Sequence, residues 1–68
     1  MEADVFNTQV RRFLKKVGIQ SQREIEQAVI QAVKSGSLSG EDKLYAEVLL
    51  RVPAVGVDVR ISDNIALS

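Results

Sequence analysis

Cysteine, histidine and tryptophan are absent from this 68-residue chain, and proline occurs once, at Pro53. Without cysteine or histidine, neither a disulfide nor a thiolate–imidazole zinc site can supplement a small core. Aromatic residues are limited to Phe6, Phe13 and Tyr45, so any core must be aliphatic. No charge of one sign is in excess: nine basic and nine acidic residues give a formal net charge of zero. That balance argues against a binder driven by phosphate neutralisation. No apolar run approaches membrane-spanning length, and no basic, apolar leader follows Met1, whose neighbours include Glu2 and Asp4. The expected setting is cytoplasmic, with which a cysteine-free composition is consistent.

What is present is apolar residues, 46% of the chain, too much for a disordered segment, and many of them recur periodically. A length of 68 residues sets the expectation of one small domain, residues 1–68. Phe6, Val10, Phe13, Leu14 and Val17 recur at helical spacing, with Arg11, Arg12 and Lys15 pointing the other way. Asp4 is placed to cap this first helix and Gly18 to end it, so a helix is expected over 4–17. Ser21-Gln22-Arg23-Glu24 has capping-box spacing. Ile25, Ala28, Val29, Ala32 and Val33 then form a second stripe, which stops at Gly36. A second helix is expected over 22–35.

Beyond a short loop the period changes to two. Leu44, Ala46, Val48, Leu50 and Val52 alternate with Tyr45, Glu47, Leu49 and Arg51, the pattern of a pleated strand over 44–52. Pro53-Ala54-Val55-Gly56 suits a four-residue turn that starts on proline and ends with Gly56 in the left-handed region. Val52 then opposes Val57, Arg51 opposes Asp58, Leu50 opposes Val59 and Val48 opposes Ile61. Ser62-Asp63-Asn64 reads as another turn, giving strands over 57–61 and 65–67. The fold class expected is α+β: two antiparallel helices packed on one face of a three-stranded antiparallel β-meander, ααβββ.

Chemistry finds little material. The glycines are isolated, so no phosphate loop is present. The serines sit in caps and turns without an adjacent base, and Gly40-Glu41-Asp42 supplies too few carboxylates for a calcium loop. No catalytic residue, metal site or cofactor is expected. A helix-turn-helix reading centred on Gly18 places Glu24 and Gln27 where the second helix should be apolar.

Two surfaces stand out. Tyr45 and Leu49 fall on the sheet face away from the expected helices, and Ile30 on the outer side of the second helix; these three are the candidate interaction surface. Strand 44–52 lies at a sheet edge and has no internal proline, which invites pairing with another chain. Arg11, Arg12 and Lys15, flanked by Lys16, form a candidate basic patch. The leading expectation is therefore a non-enzymatic protein-interaction module with an unidentified partner or a second copy of itself, monomer and homodimer both open. The alternative is a small nucleic-acid-associated regulator using the basic side of the first helix.

Phe13-Leu14-Lys15-Lys16-Val17-Gly18, Ser21-Gln22-Arg23-Glu24-Ile25-Glu26 and Pro53-Ala54-Val55-Gly56 together resemble a family of short, uncharacterised bacterial proteins of about this length. The resemblance covers nearly the whole chain. It implies a bacterial cytosolic protein and brings no activity, ligand or functional residue with it.

Overall fold

A computed structural model describes residues 1–68. The chain divides into two compact units, Met1–Ser37 and Leu38–Ser68. The first is a single helix, α1, Ala3–Lys34. The second is an antiparallel hairpin of β1, Lys43–Val52, and β2, Val57–Ala66, joined by a 3-10 turn at Pro53–Val55.

The two helices expected over 4–17 and 22–35 are thus one. Gly18 does not adopt the positive φ that would end a helix; among the glycines only Gly36 and Gly56 do. A glycine inside a helix costs roughly 1 kcal/mol relative to alanine, which a long hydrogen-bonded helix absorbs. Nothing else forces a break, since no proline precedes residue 53. The two apolar stripes are also in phase. Val17, Ser21 and Ile25 follow at i, i+4 and i+8, so continuing the helix keeps both on one face.

The helix starts without a side-chain cap at Glu2, and Asp4 lies inside the first turn rather than capping it. The Asp4 carboxylate is well placed against the positive helix end, while its carbonyl accepts the Thr8 hydroxyl at 2.9 Å. The C-terminus is closed more firmly. Gly36 has φ 79°; its N–H donates to the Val33 carbonyl at 3.2 Å, and the Ser37 N–H to the Ala32 carbonyl at 3.0 Å. These are the two bonds of a Schellman motif. The Ser35 and Ser37 hydroxyls also donate to the Ala32 carbonyl, at 3.1 and 3.2 Å.

In the hairpin, Val52 pairs with Val57, Arg51 with Asp58, Leu50 with Val59 and Val48 with Ile61, the register the alternation implies. Gly56, at φ 69°, closes the turn by donating its N–H to the Pro53 carbonyl at 3.2 Å. The expected third strand does not exist. Strands over 57–61 and 65–67 are replaced by one strand that continues through Ser62, Asp63 and Asn64 to pair Ile65 with Leu44 and Ala66 with Lys43. The Leu67 N–H extends the ladder to the Asp42 carbonyl at 3.2 Å.

The reason lies in β1. A second strand ending at residue 61 would leave residues 43–47 without ladder partners, and unpaired backbone groups are costly. Ile61 and Ile65 are four apart, so a straight strand keeps them on one face as well as a turn does. The Ser-Asp-Asn turn propensity is overridden by pairing.

Nor is any face covered as expected. No residue of the chain is buried. Val48 and Val59, expected beneath helices, are 42% and 48% exposed. The ααβββ arrangement is replaced by one long helix and one two-stranded antiparallel hairpin.

Candidate interaction surfaces

On α1 the apolar side runs through Phe6, Val10, Phe13, Leu14, Val17, Ile25, Ala28, Val29 and Ala32. Val17, Ser21, Val29 and Ala32 are half-buried, whereas Phe6, Phe13 and Leu14 stand exposed. A helix of 32 residues is about 48 Å long at 1.5 Å per residue, so this stripe is an extended seam rather than a pocket.

The hairpin has two unlike faces. One carries Leu44, Ala46, Val48, Leu50 and Val52 opposite Ile65, Asp63, Ile61, Val59 and Val57. It is apolar except at Asp63, which sits across from Ala46 and accepts the Asn64 N–H on Oδ1 at 2.8 Å. Its members range from half-buried, as at Leu50 and Val57, to exposed, as at Ile61. The opposite face carries Tyr45, Glu47, Leu49 and Arg51 beside Asn64, Ser62, Arg60 and Asp58. There the Tyr45 hydroxyl donates to Glu47 Oε2 at 3.1 Å, and Arg60 Nε reaches the same oxygen at 3.0 Å. This is the chain's one ion pair. Arg51 and Asp58 face each other in the ladder without forming one.

Of the sequence-derived candidates, Tyr45 and Leu49 share the polar face of the hairpin, 63% and 61% exposed. Ile30 belongs to the other unit, on α1, at 55% exposure. It lies eleven residues from Ile19, three helical turns along the same line and away from the main stripe. Arg11, Arg12 and Lys15 are exposed on α1 with no carboxylate within ion-pair distance. Shallow, open grooves run along this side between Arg12, Lys15, Lys16, Ile19 and Arg23.

No group of three acidic, histidine or cysteine side chains gathers anywhere. The Asp42 carboxylate is engaged in its own loop, accepting the Ser39 N–H at 2.9 Å. No helix is long and apolar enough to cross a membrane.

Sequence reasoning assigned Val48, Val59, Ile61 and the α1 stripe to a core, and so missed them as surface. Alternation reveals which face is apolar; it carries no information about what covers it.

The profile of a family of unknown function, DUF6494, matches residues 1–68, and the chain belongs to that family. No curated protein and no solved structure matches it.

Proposed function

We propose that this member of the DUF6494 family is a non-enzymatic protein-interaction module, whose open apolar faces are covered by another polypeptide chain. The observation that carries the reading is that no residue is buried, while Phe6, Phe13, Leu14, Val48, Val59 and Ile61 all stand exposed on ordered elements. Val48, Val59 and Ile61 are neighbours on one face of the hairpin, and contiguous exposed apolar surface marks protein contact sites. A two-stranded hairpin on its own is marginal in water, and helices in proteins draw most of their stability from packing of an apolar face. Both elements therefore gain from a partner. A cytoplasmic setting belongs to the same proposal and is supported by the cysteine-free composition.

Backbone hydrogen exchange of the dilute chain tests this. Amides of β1 and β2 should exchange almost unprotected at micromolar concentration and become protected when the chain is concentrated or bound. Strong protection throughout the hairpin in a dilute monomer would show that no covering chain is needed.

A second reading, a small nucleic-acid-associated regulator, is favoured by the unpaired cations Arg11, Arg12 and Lys15 on one stretch of α1. Zero net charge weighs against it. A gel-shift experiment at low salt, where lysine and arginine contacts to phosphate are strongest, should show no complex at micromolar protein.

A further inference from the structure

The seam on α1 is symmetric about its own middle. Its central residues are Phe6, Val10, Phe13, Val17, Ser21, Ile25, Ala28 and Ala32, separated by 4, 3, 4, 4, 4, 3 and 4 residues. That series reads the same in either direction. Two such helices laid antiparallel, with paired residue numbers summing to 38, bring each of these eight residues opposite another of the eight, while Leu14 and Val29, at the margin of the stripe, come level with Glu24 and Gln9. Resting on the interaction-module reading, we propose that the partner covering α1 is a second copy of this chain, paired antiparallel in that register.

Size decides in favour of the antiparallel sense. In it Phe6 meets Ala32, Val10 meets Ala28, Phe13 meets Ile25 and Val17 meets Ser21, each contact occurring twice by the two-fold symmetry. In three of these four pairs a larger side chain faces a small one, Phe13 against Ile25 being the exception, and the seam keeps a more uniform width, as close packing requires. A parallel pair in register would stack Phe6 on Phe6 and Phe13 on Phe13 at one end, and alanine on alanine at the other.

Charge points the same way. Arg11, Arg12, Lys15 and Lys16 form a run with no acidic residue between Asp4 and Glu24. Parallel pairing sets this run beside its own copy. Antiparallel pairing sets it opposite residues 22–27, which include Glu24 and Glu26. Lys16 and Glu24 flank the seam on the same side, where flanking charges set partner orientation in paired helices. Lys15 and Arg23, which also come level, lie on the outer side away from the seam.

The absence of native cysteine makes the test clean. Variants Val10→Cys and Ala28→Cys are prepared separately and mixed under mild oxidation, alongside light scattering of the unmodified chain. Each variant carries one cysteine, so no link within a chain can form, and because positions 10 and 28 lie about 27 Å apart along the helix a parallel pair in register could not join them. Expected are particles of twice 7.5 kDa for the unmodified chain, and a cross-linked dimer in the mixture but in neither variant alone. A dimer linking Val10→Cys to itself overturns the antiparallel register and leaves the module reading standing. Monomers of 7.5 kDa at several hundred micromolar overturn the second copy as partner. If those monomers also melt in one cooperative transition, the module reading fails with it. Should either cysteine variant lose its helical circular dichroism, Gln9→Cys mixed with Gln31→Cys repeats the test at positions flanking the seam, with the same outcomes.

Discussion

Glycine plays opposite parts at three positions, and each can be measured. Gly18 lies in the helical interior with open space where a Cβ would go, so Gly18→Ala should stabilise the chain by about 0.5–1 kcal/mol. Had Gly18 been a left-handed helix terminus, the same change would destabilise. Gly36 and Gly56 do occupy that region, at φ 79° and 69°, and alanine at either should cost about 1 kcal/mol. Thermal denaturation of the three variants, followed by circular dichroism, checks all of these signs. By contrast the Arg60–Glu47 ion pair is solvent-exposed, and Glu47→Gln should change stability by less than about 0.5 kcal/mol in a urea titration. Ser21 is the one polar residue on the proposed seam line. Ser21→Val should raise the midpoint of unfolding, by an amount consistent with about 1 kcal/mol of added apolar burial.

At the scale of elements, continuity of α1 is the decisive feature. Gln20 lies where a connector between two helices was expected, and a connector tolerates proline. In an unbroken helix Gln20→Pro removes a hydrogen bond and clashes with the preceding turn, at a cost of about 3 kcal/mol or more. Loss of a large part of the helical circular dichroism signal is the expected result. For the hairpin, Val48→Lys should not disturb an isolated ribbon, since Val48 already faces solvent, but should weaken whatever covers that face. Amide chemical shifts of the dilute variant and its protection when concentrated separate the two effects.

Much of the element pattern was legible in the residues. The period-two alternation and Pro53–Gly56 specified the β1–β2 register from Val48–Ile61 to Val52–Val57, and Gly36 marked the end of α1. Two local signals misled. Gly18 with Ser21–Glu24 carries stop and start chemistry, yet capping is optional when a continuing helix satisfies the same donors. Ser62-Asp63-Asn64 has turn chemistry, yet β1 offered ladder partners through residue 43. In both places a longer run of backbone hydrogen bonds prevailed over a short-range preference. Of the candidate surfaces, Tyr45, Leu49 and Ile30 could be placed on their faces from spacing alone. The α1 seam and the Val48–Ile61 face could not be recognised as open, because exposure depends on packing that periodicity does not encode.

At the scale of the whole molecule, 68 residues are spent on one helix and one hairpin with nothing buried. Such a chain lacks the interior burial from which small domains draw their stability, and it has no cysteine with which to form a disulfide instead. On the proposed reading the remaining stability comes from association, which follows mass action. The direct measurement is the thermal midpoint of the unmodified chain across a hundredfold range of concentration, from micromolar upward. For a chain completed by a second copy, the midpoint should climb steadily with concentration while the helical signal at low temperature grows. A midpoint that stays fixed over that range, with full helicity already present at the most dilute point, would mean that the chain folds unaided and that its apolar sides need no cover.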